Sequence, residues 1–227
     1  MAKRMTVMIT GSSKGLGRSL ALSFARNSYN VIIHGRNKKR LEEVEQSVKK
    51  WNVECDVVMG HLSESRTIEK LAEIAWEKRI EVLINNAGIY SKNPIAEIRD
   101  VEIREVIETN LIAPMLLIKR LSWMFKSEWG GMIININSIA GKEPNFIEPV
   151  YCASKHGLRG FSSSLQWHSN VRVIDVYPGA MKTDMSSGRE DFNNLIEPDE
   201  VASVIFALSE NYRSLKIKEI TIGRKNY

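Results

Sequence analysis

Short apolar runs alternate with amphipathic segments of helical length along the whole of this chain, and that alternation narrows its possible folds more than any other feature. Thr6–Thr10 is rich in β-formers and precedes a glycine-rich turn and the helix-like Arg18–Asn27. Strand-like Val31–His34 leads to a helix over Lys38–Trp51, whose Leu41, Val44 and Val48 share one face. Val53–Met59 reads as a third strand, and Ser65–Lys78 as a helix through Ile68, Leu71, Ala72 and Ala75, capped by Ser63 or Ser65. Glu81–Asn85 is a fourth strand, a long helical region runs from Asp100 to Lys126, and Met132–Ile136 is the next strand. Tyr151–Gln166, Val171–Tyr177, Pro198–Ser209 and Glu219–Ile222 complete the series as helix, strand, helix and strand. This pattern predicts βαβ units and a parallel sheet, with several strands apolar on both parities because helices cover both faces. The expected fold is α/β: one doubly wound parallel sheet of about seven strands between two helical layers.

No internal repeat, low-complexity tract or linker interrupts the pattern, so residues 1–227 are expected to form a single domain. Only Met185–Glu197 is irregular enough to be a mobile loop. The two cysteines, Cys55 and Cys152, lie far apart with no CxxC spacing, which argues against a disulfide framework or a zinc site and for a reducing compartment. Met1–Arg4 runs straight into a strand, so no cleavable signal is expected, and no apolar run approaches the roughly 20 residues of a membrane span. A cytoplasmic protein that engages neither membrane nor nucleic acid is expected. The net charge of +5 is dispersed among acidic residues and makes only a mildly basic surface.

After the first strand comes TGSSKGLG, Thr10 to Gly17, with glycines at positions 11, 15 and 17. Such a turn lets backbone approach a ligand closely, and the helix that follows presents free N–H groups to a pyrophosphate. The spacing is GxxxGxG, neither the common GxGxxG fingerprint nor a Walker loop. Further on, YCASK sets Tyr151 and Lys155 on one helix face. A tyrosine is too weak an acid for proton transfer at neutral pH unless a neighbouring ammonium favours its phenolate, so the pair predicts a depressed phenol. Ser138, at the end of the strand in NINSIAG, can donate a hydrogen bond to a carbonyl at the carboxyl edge of the sheet.

TGSSKGLG, NNAG at Asn85–Gly88, Asn110, NSIAG, YCASK and PGAMKT at Pro178–Thr183 occur in that order. The series resembles the short-chain dehydrogenases/reductases in their classical form, from residue 5 to about 184. The resemblance implies a Rossmann-type fold, with a cofactor half over about 1–130 and a catalytic and substrate half over about 131–227. It implies a pyrophosphate held by Gly11, Ser13, Lys14, Gly15, Leu16 and Gly17, and an adenosine ribose beside Asn86, Ala87 and Gly88. Tyr151 would be the acid in reduction and the base in oxidation. Lys155 would hold the nicotinamide ribose, Ser138 would orient the substrate oxygen, and Asn110 would kink its helix and hold a relay water. Pro178, Gly179, Met181 and Thr183 would fix the carboxamide, the hydride chemistry itself belonging to the cofactor. The apolar Leu111–Phe125 would pack on its copy in a homodimer or homotetramer. The tryptophans at 76, 123, 129 and 167 are expected in the core or a subunit interface.

The chain departs from the family in places. GHLSES puts His61 where an adenine-contacting aspartate is usual, which leaves Leu62 as a backbone contact and His61 open. The segment between Lys155 and Pro178 is short, and so is the stretch before Pro198. His156 and His168 invite a Ser–His arrangement with Ser138 or Ser154, but no GxSxG elbow accompanies them. Cys152 has no base beside it.

HGRN, at the end of the second strand, bears on the cofactor. An acidic residue there would bind the ribose diol of NAD and repel a 2′-phosphate, and the aligned residue is Gly35. Arg36 follows at once, able to grip a phosphate, with Lys14, Lys38 and Lys39 adding to the local field. The expected activity is an NADP(H)-dependent interconversion of a small-molecule carbonyl and a secondary alcohol. The alternative is a non-catalytic NADP(H)-binding regulator, which would have no need of all four of Asn110, Ser138, Tyr151 and Lys155.

Overall fold

The computed structural model describes residues 4–125, 131–143, 146–167, 171–209 and 215–225. Its strands are β1 (Thr6–Ile9), β2 (Asn30–Gly35), β3 (Cys55–Met59), β4 (Val82–Asn85), β5 (Gly131–Ile136), β6 (Val171–Pro178) and β7 (Glu219–Ile222). Helices α1 (Gly15–Arg26), α2 (Lys38–Lys49), α3 (Ser65–Lys78), α4 (Asp100–Ile107), α5 (Ala113–Phe125), α6 (Pro149–Leu165) and α7 (Pro198–Ser209) lie between them. All seven strands are parallel, in the order β3-β2-β1-β4-β5-β6-β7. This is the doubly wound Rossmann-type sheet that the alternation predicts.

Strand parity sorts the core into two layers. Val7, Ile9, Ile33, Ile84, Ile134 and Val176 face α1, α2 and α7, whereas Met8, Ile32, Leu83, Ile133 and Val173 face α3, α5 and α6. The second face changes character as the strands run toward their carboxyl ends. Leu83, Ile133 and Val173 give way to Asn85, Asn135 and Asp175, which are paired in register across β4, β5 and β6. The order reverses between β1 and β4, which opens a crevice outside their carboxyl ends.

Several boundaries differ from expectation. Helix α1 begins at Gly15 rather than Arg18, taking two glycines of the turn into its first winding. The long helix expected from Asp100 to Lys126 is two helices joined by a π-helical turn over Glu108–Ile112, and Lys126 lies outside the described residues. The cap of α3 is Glu64, since Ser63 Oγ is drawn 2.7 Å from His61 Nδ1 and Ser65 is already helical. Met185–Glu197 holds 3₁₀ turns at Asp184–Ser186 and Phe192–Asn194, and folds back through a bridge between Met181 and Ile196. Trp76, Trp123 and Trp167 are 45%, 76% and 87% exposed, so none is a core residue, and Trp129 lies outside the described residues. Among the described residues no helix is long and apolar enough to cross a membrane.

Candidate active site

The glycine turn is built by contact of backbone with backbone. Gly11 has φ +66°, and a Cβ there would lie 2.7 Å from Ala87 Cα. A Cβ on Gly17 would lie 2.2 Å from the Gly11 carbonyl, so Gly17 packs behind the turn while its neighbours line the crevice. Asn86 Nδ2 donates to the carbonyls of Thr10 (2.9 Å) and Gly11 (3.0 Å), and Thr10 Oγ1 accepts from the backbone N–H of Asn86 and of Ala87. The NNAG segment thereby ties β4 to the turn after β1. Helix α1 has neither a side-chain cap nor an acidic residue in its first turn, so its first N–H groups remain available to an anion.

His34 is a support that the sequence did not disclose. Its Nδ1 accepts from the Gly11 N–H at 3.2 Å, which puts the ring proton on Nε2, 3.2 Å from the Gly60 carbonyl. The neutral imidazole spans β2, the glycine turn and the loop after β3. An apolar run ending in histidine carries no signal for this, because both partners come from other strands.

Beyond Gly35, Arg36 is exposed and has no carboxylate partner among the described residues. A Cβ on Gly35 would meet Ser13 Cβ at 3.1 Å, a tight approach that a side chain there could make only if Ser13 gave way slightly. Lys14 Nζ is 2.8 Å from Asp184 Oδ2, which also accepts from Arg40 at 3.1 Å. Sequence reasoning singled out neither Arg40 nor Asp184, which lie 144 residues apart.

On the opposite wall, Tyr151 and Lys155 are both buried on α6. Lys155 Nζ donates to the Ile136 carbonyl at 2.8 Å and sits 5.7 Å from the Tyr151 ring centroid. The expected depression of the phenol by the ammonium is not found. Burial pushes Tyr151 up to about 12, opposed by a hydrogen bond from Ser138, and drives the Lys155 ammonium down to about 8, opposed by the charge of Asp175. Desolvation outweighs the attraction within the pair. Ser138 caps a 3₁₀ turn, its Oγ accepting from the Ala140 N–H at 3.2 Å.

Asn110 lies in the π-helical turn between α4 and α5. Its Oδ1 accepts from the Ile89 N–H at 2.7 Å, and its Nδ2 donates to the Ile89 carbonyl and to Ser154 Oγ. Ser154 in turn donates to the Tyr151 carbonyl, and His156 Nδ1 lies 3.0 Å from the Cys152 carbonyl, so both are committed within α6 and form no Ser–His pair. His168 lies outside the described residues. Pro178 ends β6, and the Gly179 N–H donates to the Ile222 carbonyl, so these two shape the strand exit.

A cavity of about 460 Å³ joins these parts: Gly11, Ser13, Lys14, Gly15, Leu16 and Arg36, then Leu62, His61, Asn86, Ala87 and Gly88, then Tyr151, Lys155, Met181 and Thr183. Gly17, Asn110, Ser138, Pro178 and Gly179 are not part of that lining. An elongated ligand with anionic groups fits the donor set, since uncapped helix N–H groups and two cations meet at a glycine turn in which Gly11 leaves no room for a Cβ. Among the described residues no group of three His, Cys, Asp or Glu could hold a metal ion.

This fold and site define a nucleotide-binding α/β oxidoreductase. The family model described as short chain dehydrogenase matches residues 5–194, and the chain belongs to that family. Carbonyl reductase family member 4 of Xenopus laevis is 34% identical over 225 residues, covering 90% of this chain and 91% of that protein. A metagenomic short-chain oxidoreductase solved in complex with NADP is 30% identical, with a TM-score of 0.83 over 96% of each chain. An alcohol dehydrogenase of the archaeon Thermococcus sibiricus, complexed with 5-hydroxy-NADP, superposes with a TM-score of 0.90 over 99% of this chain and 100% of that one; at 23% identity the likeness is one of fold.

Two outcomes test the turn. Burial holds His34 at about 4, against an ordinary value of 6.5. Between those values the unfolded chain takes up a proton that the folded chain does not, so stability falls as pH drops from 6.5 toward 4, by up to about 3 kcal/mol. Urea midpoints of wild type and His34→Gln across that range should diverge, and parallel curves would refute the assignment. Gly17→Ala should weaken dinucleotide binding by more than roughly tenfold, because the new methyl meets backbone; titration calorimetry reads this.

Proposed function

We propose that this chain is an NADP(H)-dependent oxidoreductase that interconverts a carbonyl and a secondary alcohol, with Tyr151 as the group that moves the proton. The observation that carries the proposal is one cavity lined by Lys14 and Arg36 and also by Tyr151 and Lys155. Family membership and the NADP complex of the metagenomic relative support the cofactor, and the carbonyl reductase relative supports the reaction class.

When bound, the nicotinamide supplies or accepts the hydride, and the chain does the rest. Backbone at Gly11, Ser13, Gly15 and Leu16, with the start of α1, would hold the pyrophosphate. Arg36, aided by Lys14, would hold the 2′-phosphate by charge-assisted hydrogen bonds. Leu62, Asn86, Ala87 and Gly88 would border the adenosine, and Met181 and Thr183, set by Pro178 and Gly179, would meet the carboxamide. Ser138 would fix the substrate oxygen toward the Tyr151 hydroxyl. A phenol held at about 12 is protonated at neutral pH, the form that donates to a developing alkoxide in the reductive direction. Lys155 would supply positive charge beneath that oxygen, and Asn110 would position the Ile89 segment beside it and serve proton return.

The chain would act as one catalytic unit and assemble as a homodimer or homotetramer through α4 and α5, where Trp123 is exposed. A cytoplasmic setting fits this chemistry.

Tyr151→Phe should lower turnover by on the order of 10²–10⁴-fold while NADPH binding stays near wild type. A panel of ketones, aldehydes and quinones, followed by NADPH oxidation, reads the first, and fluorescence titration the second. Unchanged turnover in that variant, or tight binding with no substrate found for wild type, would favour the regulator. Arg36→Asp should weaken NADPH by roughly 10- to 100-fold and improve NAD, a loss typical of a charge-assisted pair. Kinetics with both cofactors measure the switch, and an unaltered ratio would overturn the 2′-phosphate role.

A further inference from the structure

Strand β6 holds a buried carboxylate that the proposed reaction does not use. Asp175 is 2% exposed on β6 and continues the in-register polar row of Asn85 and Asn135. The row is closely bonded. Asn85 Nδ2 donates to Asn135 Oδ1 at 2.8 Å, Asn135 Nδ2 donates to Ser162 Oγ of α6 at 2.8 Å, and the Tyr177 hydroxyl donates to Asp175 Oδ2 at 3.0 Å. Burial raises the Asp175 carboxyl to about 6, which still leaves it an anion, and an acceptor only, at neutral pH.

Such a group in the interior is costly unless something needs it. Asp175 Oδ1 and Asn137 Nδ2 are both buried, and neither has a hydrogen-bond partner among the described residues. One is an acceptor and the other a donor, on the same sheet face of adjacent strands, and the Asn137 amide is near enough to draw the Asp175 carboxyl down. The other end of the Asn137 side chain is engaged, since Oδ1 accepts from the Ser138 N–H at 3.0 Å. Asn137 also has little freedom to turn, because a Cβ on Gly141 would come within 2.6 Å of that Oδ1. Ile136, one residue before Asn137, is held by Lys155 through its carbonyl.

We infer that Asp175 is a positioning residue: its carboxylate orients the Asn137 amide, which holds the backbone of Ser138 in place for the reaction proposed above. In Asp175→Asn the amide oxygen still accepts from Tyr177, and its NH₂ then confronts the NH₂ of Asn137. Donor faces donor, and the Ser138 turn loosens without a cavity being made. The exchange Asp175→Asn with Asn137→Asp restores the complementarity with the roles reversed, since the new carboxylate at position 137 can accept both from Asn at 175 and from the Ser138 N–H.

Amide hydrogen exchange of the full chain, read residue by residue, tests this without a substrate. In Asp175→Asn the Ser138 amide should exchange at least roughly tenfold faster while Gly131–Ile134 stay protected, and the double exchange should restore the wild-type rate. Turnover with any carbonyl found active in the panel should fall in the single variant, with little change in KM or thermal midpoint, and return in the double. Unchanged protection at Ser138, loss spread evenly along β5 and β6 with a lowered midpoint, or failure of the double exchange to rescue would overturn the inference. Tyr151→Phe separates the two levels. If it abolishes turnover and Asp175→Asn does not affect it, only the positioning role falls; if Tyr151→Phe is also fully active, the proposed function falls.

Discussion

Backbone has to approach backbone where the first strand turns into the first helix, and the rest of the site depends on that approach. Gly11 lies against Ala87 and Gly17 against the Gly11 carbonyl at distances that no side chain tolerates. Because the turn lies so close to the end of β4, Asn86 can bridge it, and the uncapped N–H groups of α1 face the crevice rather than solvent. His34 then locks the turn to the adjacent strand with a ring that burial keeps neutral. A charged group in that position would gain the same contacts only at a desolvation cost.

The same crevice sets two opposing electrostatic demands. One end offers Lys14 and Arg36, with Asp184 bonded to Lys14 and Arg40 beside them, in surroundings open enough for charges to be hydrated. The other end buries a tyrosine and a lysine so fully that desolvation governs both, raising the phenol and lowering the ammonium. Nearby charge decides how far. The charge of Asp175 supports the ammonium, and the Ser138 hydroxyl supports the phenolate. An argument from spacing alone credited the lysine with a pull on the phenol that the burial of both groups overrides.

The polar stripe on one sheet face belongs to the same account. A strand core is normally continued by apolar residues to its end, yet β4, β5 and β6 change to Asn, Asn and Asp at one register level. Within that stripe the hydrogen bonds run sideways across the sheet and up to α6, so the strand end carrying Ser138 is tied to the helix carrying Tyr151 by directional contacts. Directional contacts fix geometry in a way that apolar packing of equal area does not.

Much was legible in advance, for identifiable reasons. Period-two and helical patterns gave every strand, and every helix except the divided region from Asp100 to Phe125, to within a few residues, since each reflects local burial on a regular element. The site motifs were legible because glycines, a Tyr–Lys pair and a strand-end serine are local patterns. The π-helical break at Glu108–Ile112 was not legible in periodicity, although the family resemblance pointed to a kink at Asn110, whose side chain reaches Ile89, a partner remote in sequence. His34, Arg40, Asp184 and Asp175 were silent for the same reason. By itself, then, the chain determined its layers and its strand count, consequences of periodicity and local turn chemistry, and its ordered motifs named, through a family resemblance, the groups expected at the carboxyl edge. Only the tertiary structure decided how those groups are charged and held. Desolvation and hydrogen bonding between strands depend on neighbours that the strand order β3-β2-β1-β4-β5-β6-β7 brings together.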